Sequence, residues 1–294
     1  MVVITGANSG LGFESARVLA HRGAHVVLTC RSEEKGGRAL EAIRPEQPQA
    51  SLELMVLDLA SLASIRGFAG AFSPADDRLD ILMNNAGVMA IPPARTADGF
   101  EMQLGVNHLG HFALTAALFP LLERTPGARV VTLSSLLHRR GRMDLEDPFF
   151  ERRPYRPWQS YAQSKLANLL FTLELDRRLR RRATRTMALA AHPGYAATEL
   201  QRRGPELRGS SVGVVVMRLA NALFAQPAAH GVWPQLRAAT DPGAQGGDFF
   251  GPSRLGQSRG PAVRVQRAPE ARDQDLARRL WEVSEKLTGA RFEG

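Results

Sequence analysis

The chain reads as an α/β protein built on one doubly wound parallel sheet of about seven strands, with helices on both faces. Three observations predict this. From residue 1 to about 192, short β-branched and aliphatic runs alternate with helix-length segments, the pattern of successive βαβ units. The strand candidates are nearly continuous in apolar residues, as strands covered on both faces are. Finally, 294 residues with 44% hydrophobic content suffice for a large core, and no linker, internal repeat or low-complexity tract divides them. One domain spanning residues 1–294 is the expectation.

In chain order the expected strands are residues 2–5, 25–30, 52–57, 81–83, 129–133 and 186–190, with a seventh at 247–250. Between them lie expected helices at 11–21, 33–43, 62–72, about 99–123 and 158–182. Two stretches break the alternation. Residues 136–159 are rich in Arg, Pro and aromatics and read as a long loop. Residues 199–236 are helical in pattern but interrupted by Gly204, Gly209, Gly213 and Pro227, and carry an apolar face that includes Val212, Leu219 and Phe224. Such insertions in a compact domain are usually functional, so this stretch is expected to be a lid over an apolar substrate pocket.

Charge and composition narrow the classes. A net charge of +9 raises nucleic-acid binding. The arginines, however, are spread from Arg17 to Arg291, with dense runs only at 177–185 and around Arg152 and Arg153, which suits a solvated surface and no nucleic-acid partner. No stretch approaches the roughly 20 apolar residues of a spanning helix. A motif already occupies the first ten residues, so no signal peptide is expected and the expected location is cytoplasmic. The single cysteine, Cys30, cannot form an internal disulfide, which agrees with a reducing compartment.

The first strand runs into Thr5-Gly6-Ala7-Asn8-Ser9-Gly10-Leu11-Gly12, and a helix follows. Glycines there let the chain turn sharply and bring backbone N–H groups at a helix N-terminus close to a dinucleotide pyrophosphate. An ordinary Gly-rich turn is the bland alternative. The most specific chemistry lies in Tyr161-Ala162-Gln163-Ser164-Lys165. A Tyr and a Lys four apart on a helix share a face, with about 5 to 6 Å between Cβ atoms. A nearby ammonium favours phenolate, so the Tyr161 pKa is expected to fall from its ordinary value near 10 toward useful acid–base chemistry. An incidental pair on an amphipathic helix is the competing reading. Upstream, the 129–133 strand ends in Ser134 and Ser135 at the carboxyl edge of the sheet, where ligands bind in doubly wound folds.

Taken together, these motifs resemble the classical short-chain dehydrogenases/reductases, single-domain Rossmann-type oxidoreductases. The turn spacing Gly-x-x-x-Gly-x-Gly after Thr5 matches, as do Asp58-Leu59 after the third strand and Asn84-Asn85-Ala86-Gly87 after the fourth. The resemblance covers essentially the whole chain and is strongest to retinol-dehydrogenase-like and protochlorophyllide-reductase-like members. It rests there on Asn107-His-Leu-Gly-His-Phe112, the long spacing from Ser135 to Tyr161, Ser164-Lys-Leu-Ala-Asn168 and the string from Arg279 to Gly289. Relatives usually carry residues ahead of the first strand, whereas this chain starts almost inside it.

The resemblance implies a catalytic set of Asn107, Ser135, Tyr161 and Lys165. Ser135 would hold the substrate oxygen, with Ser134 as the fallback, and Asn107 would hold a water against Lys165. It implies cofactor contacts from Gly6, Asn8, Ser9, Gly10, Leu11, Gly12, Asp58, Leu59, Asn85, Ala86, Gly87, Tyr161 and Lys165, and from Pro193, Gly194 and Thr198 along the nicotinamide. NAD-preferring members place an acid at the end of the second strand. Here Cys30 and Arg31 stand there, with Lys35 beyond, which favours NADP, NAD being the alternative. His108 and His111 have a spacing a metal could use but no evident partner, so helix packing is expected and no metal.

The function implied is hydride transfer between NADP and an alcohol or carbonyl, on a lipophilic small molecule. The alternatives are C=C reduction on the same scaffold and a non-catalytic dinucleotide sensor. A homo-oligomer is compatible with the chain.

Overall fold

The structure, a computed structural model, describes residues 1–74, 77–195 and 227–292. Its strands are β1 (Val2–Thr5), β2 (Val26–Cys30), β3 (Leu52–Val56), β4 (Ile81–Asn84), β5 (Arg129–Leu133), β6 (Met187–Ala191), β7 (Phe249–Arg254) and β8 (Arg259–Arg264). They form one sheet in the order β3-β2-β1-β4-β5-β6-β7-β8. The first seven run parallel, and β8 turns back antiparallel on β7. The order reverses between β1 and β4, the switch point outside which doubly wound sheets bind ligands.

Strand alternation sorts the core into two layers. Val3, Val27, Leu82, Val130 and Ala188 face α3 (Leu62–Ala71), α4 (Gly110–Arg124) and α5 (Pro157–Arg181), meeting Ile65, Phe112 and Phe171. Val2, Ile4, Leu28, Met83 and Val131 face the other way, onto α1 (Gly10–His21), α2 (Glu33–Ile43) and α6 (Trp233–Thr240), meeting Leu19, Ile43 and Ala238. A last helix, α7 (Gln274–Thr288), lies against α5 and inserts Trp281 among Phe112, Phe171 and Phe292.

Three expectations need correcting. The sheet has eight strands rather than about seven. The eighth, Arg-Gly-Pro-Ala-Val-Arg, is an exposed edge on which Arg and Pro are tolerated, so it lacks the apolar run that marks a buried strand. The long helix expected at 99–123 is broken into a short turn at Met102–Leu104, a π-helical turn at Gly105–Leu109 and α4. Within the expected 136–159 loop, Leu136–Arg140 form a 3-10 turn. Of the expected lid at 199–236, residues 199–226 lie outside the described residues. The remainder is packed structure: Gln235 donates to the Ser15 hydroxyl at 2.5 Å, and Leu236 lies against the α1/α2 core layer.

Candidate active site

A cleft opens along the carboxyl ends of β1 to β4, and its wall is the Gly-rich turn. Gly6 and Gly10 take positive φ angles of 65° and 57°, which glycine alone adopts at little cost. A Cβ on Gly12 would collide with the Gly6 carbonyl and the Asn85 amide, so only glycine lets α1 start so close to the turn. Ser9 stands at the N-cap of α1 without a side-chain cap, leaving that task open to a ligand. Thr5 knits the wall together: its hydroxyl accepts from the N–H groups of Asn85 and Ala86, both at 2.9 Å. Twelve sequence-predicted residues line this cleft: Gly6, Asn8, Ser9, Gly10, Leu11, Gly12, Arg31, Asp58, Leu59, Asn85, Ala86 and Gly87. The cradle suits a dinucleotide, with its pyrophosphate over the Gly-rich turn.

At one end of the cleft, Cys30 is buried while Arg31 and Lys35 are exposed, and neither cation has a carboxylate partner among the described residues. Asp58 uses one carboxylate oxygen to accept from the Ala60 N–H at 2.9 Å and also lines the cleft.

At the other end the catalytic set assembles beside Gly87. Tyr161 and Lys165 project from α5, both buried, with the Lys165 ammonium 5.7 Å from the Tyr161 ring centroid. A Cβ on Gly87 would lie 3.5 Å from Lys165 Nζ and 3.0 Å from Asn107 Oδ1, so this cleft-lining glycine packs directly against the lysine and Asn107. Helix α5 is stitched to the end of β5: Lys165 Nζ and Asn168 Nδ2 both donate to the Leu133 carbonyl, at 3.2 and 2.8 Å. Ser134 donates to the Lys165 main-chain carbonyl at 2.7 Å, so its hydroxyl belongs to that stitching. Ser135, one residue on, is half-buried and lies near enough to the Tyr161 phenol to favour its anion. The geometry therefore prefers Ser135 over Ser134 as the group facing a reacting oxygen.

One expectation changes at this end. Burial pushes the Tyr161 phenol up to about 12, against the nearby Ser135 hydroxyl, which favours its anion. Burial also pushes the Lys165 ammonium down to about 8. The phenol therefore rises where lowering by the lysine was expected, because desolvation dominates and the Lys165 ammonium hydrogen-bonds Leu133 instead of the phenol. The Asn107 side chain donates to Val88 O and Ser164 Oγ, both at 2.9 Å, and its Oδ1 accepts from Val88 N at 2.8 Å. It shapes the π-helical turn, a distortion common at functional sites.

Gly194 sits against the β7–β8 hairpin. Gly194 has φ 69°, and a Cβ there would strike Ser258. Thr198 lies outside the described residues.

Sequence reasoning missed three buried histidines that hold site turns. His111 donates from Nδ1 to the Asn107 carbonyl at 3.0 Å and accepts at Nε2 from Thr5 Oγ1 at 2.8 Å, tying the catalytic end to the Gly-rich turn. His138 contacts Ser135, and His192 accepts from the Gly194 N–H at 3.1 Å. Helix packing was the expected role of His111, and only the fold reveals its partners. His108 turns away to Ser284 at 2.8 Å, and no group of three metal-capable residues occurs among the described residues. The sequence also gave no sign of a buried anchor in which Gln103 accepts from Ala90 N at 2.7 Å and donates to Tyr155 at 2.8 Å, beside Glu101.

Fold, cleft and Tyr/Lys/Ser arrangement define a dinucleotide-dependent oxidoreductase. The short chain dehydrogenase family model matches residues 1–207, and the chain belongs to that family, as an NAD(P)-dependent oxidoreductase acting on alcohols and carbonyls. It is 42% identical to human retinol dehydrogenase 13, covering 98% of this chain and 84% of that one. Against mouse polyprenol dehydrogenase it is 40% identical, covering 99% and 84%. A solved structure of an uncharacterized protein from Mycobacterium paratuberculosis superimposes with a TM-score of 0.82 at 42% identity, covering 100% of this chain and 94% of the other. The chain is thus of the retinol-dehydrogenase-like subgroup, and no helix among its described residues is long and apolar enough to cross a membrane.

Proposed function

We propose that the chain interconverts an alcohol and a carbonyl on a lipophilic substrate with NADP, using Tyr161 as the proton donor and acceptor. The observation that carries this reading is the convergence of the Tyr161 phenol, the Ser135 hydroxyl and the Lys165 ammonium beside Gly87, at the inner end of a dinucleotide-shaped cleft. The nicotinamide cofactor, when bound, supplies or accepts the hydride. Gly6, Gly10, Gly12 and the start of α1 would hold its pyrophosphate, Tyr161 and Lys165 its inner ribose, and Arg31 with Lys35 its 2′-phosphate.

In the reducing direction the Ser135 hydroxyl holds the carbonyl oxygen, and the Tyr161 phenol gives its proton to that oxygen as negative charge develops. The Lys165 ammonium, 5.7 Å from the ring centroid, would favour the phenolate left behind until it regains a proton. Asn107 shapes the turn beside both groups. Support for an apolar substrate comes from relatives named for retinol and polyprenol, and from Trp158, which is 42% exposed and stands edge-on to the Tyr161 ring.

The test is NADPH oxidation against panels of aldehydes, ketones, retinoids and enones, with Tyr161→Phe as control. The variant should keep cofactor affinity and lose about 10²- to 10⁴-fold in turnover. Near wild-type turnover by Tyr161→Phe on a confirmed carbonyl overturns the reading, and activity confined to enones redirects it to C=C reduction.

A further inference from the structure

We propose that His138 is a positioning residue of this site, holding the main-chain carbonyl of Ser135 so that the Ser135 hydroxyl faces the reacting oxygen. The inference rests on the reading of Ser135 given above.

Ser135 is the first residue past the last ladder bond of β5, in which Ser134 N–H donates to Ala191 O at 2.8 Å. Its backbone is extended, with φ −150° and ψ 159°, so neither strand nor helix holds its peptide plane. The turn that follows does. The Ser135 carbonyl accepts from the His138 main-chain N–H at 3.0 Å and from the imidazole Nδ1 at 2.7 Å. One residue thereby occupies both lone pairs of that carbonyl and locks the plane that carries the serine. From that plane the hydroxyl accepts from Leu137 N–H at 3.3 Å and lies near the Tyr161 phenol.

The imidazole is itself held in one tautomer. A carbonyl only accepts, so Nδ1 carries the hydrogen, and Nε2 is left to accept the Ala268 N–H at 3.2 Å. Ala268 lies in the connection from β8 to α7, so the histidine joins the catalytic turn to the C-terminal part of the chain. Phe249 stands edge-on against the ring at 5.6 Å, and His138 is 1% exposed. Burial and the nearby Arg139 and Arg267 disfavour its charged form, against the Ser135 carbonyl and Glu270, which favour it. A neutral ring suits the role, since a proton on Nε2 would oppose the Ala268 N–H.

A double-mutant cycle separates positioning from packing: wild type, Ser135→Ala, His138→Leu and the double variant, assayed at saturating NADPH on a carbonyl the wild type reduces. His138→Leu should lower kcat about 10²-fold, as misplacement of a reacting group does, with cofactor Kd and KM within about twofold of wild type. In the Ser135→Ala background the same change should cost no more than about twofold. His138→Asn places an amide N–H where Nδ1 was and should restore most of the rate, whereas His138→Gln reaches only the Nε2 position and should not. Full additivity in the cycle, equal rescue by Asn and Gln, or a fall in Tm and cofactor affinity that tracks kcat makes His138 a packing residue. Should His138→Leu fail to fold, the Asn/Gln pair decides. Independently of turnover, imidazole ¹⁵N shifts should report the neutral Nδ1–H tautomer at pH 7, and an Nε2–H or charged ring overturns the proposal. If Ser135→Ala leaves turnover intact, the reading of Ser135 fails, whatever the His138 ring shows.

Discussion

Removing the Arg31 side chain tests which dinucleotide the cleft prefers. The guanidinium is exposed at the end of β2, lines the cleft and has no acidic partner among the described residues, so Arg31→Ala breaks no internal ion pair and should leave folding intact. A hydrogen bond between charged groups contributes about 1.5 to 3 kcal/mol. If that bond goes to a 2′-phosphate, NADP affinity falls about 10- to 150-fold, while NAD, which lacks the phosphate, binds within about twofold of wild type. Exposure screens the contact, so the lower end applies at physiological salt and the loss shrinks further at high salt. Isothermal titration with both cofactors at two ionic strengths reads this directly, and Arg31→Asp should add repulsion and push preference toward NAD. Equal losses for NADP and NAD, or no loss for either, would refute the reasoning and return Arg31 to the solvent.

Two further outcomes follow from buried groups. Lys165→Met should abolish turnover yet stabilise the cofactor-free protein at pH 7. The lysine is depressed from 10.5 to about 8, which at about 1.4 kcal/mol per unit makes its burial cost of order 3 kcal/mol below pH 8. The penalty fades as pH rises toward 10.5, so the gain in urea midpoint should be larger at pH 7 than at pH 9.5, and a loss at pH 7 contradicts it. His108, His111 and His192 are held at about 3, 4 and 3, all depressed, so the unfolded chain takes up protons below pH 6.5 while the folded chain does not. Stability should therefore fall by up to about 1.4 kcal/mol per pH unit for each of these histidines between pH 6.5 and 5, ahead of carboxylate titration. A flat urea midpoint from pH 7 to pH 5 would show that these rings are not buried neutral.

The parts of the site legible in the sequence are those where function constrains local backbone. Gly6, Gly10 and Gly12 are needed by the turn itself, through positive φ or a Cβ that cannot fit, and Tyr161 and Lys165 share a face because helical spacing puts them there. The buried strands were legible for a similar reason, since sheltering both faces demands an apolar run. Strand β8 was not, because an edge strand needs only a partner, and β7 provides it. The break before α4 escaped notice because a π-helical turn keeps helix-like apolar spacing while Asn107 bonds to Val88, nineteen residues away in the chain.

What the sequence by itself determined was the parallel α/β order, the dinucleotide turn and the residue types of the catalytic set. What only the tertiary structure decided was how those residues are poised. Ser135 rather than Ser134 meets Tyr161 because Ser134 is spent on Lys165 across 31 positions. The phenol rises instead of falling because burial, which depends on every element packed around α5, disfavours its anion. His111, His138 and His192 become parts of the site only when distant segments meet, for a hydrogen bond from Ala268 to His138 joins residues 130 apart and leaves no local trace in the order of amino acids.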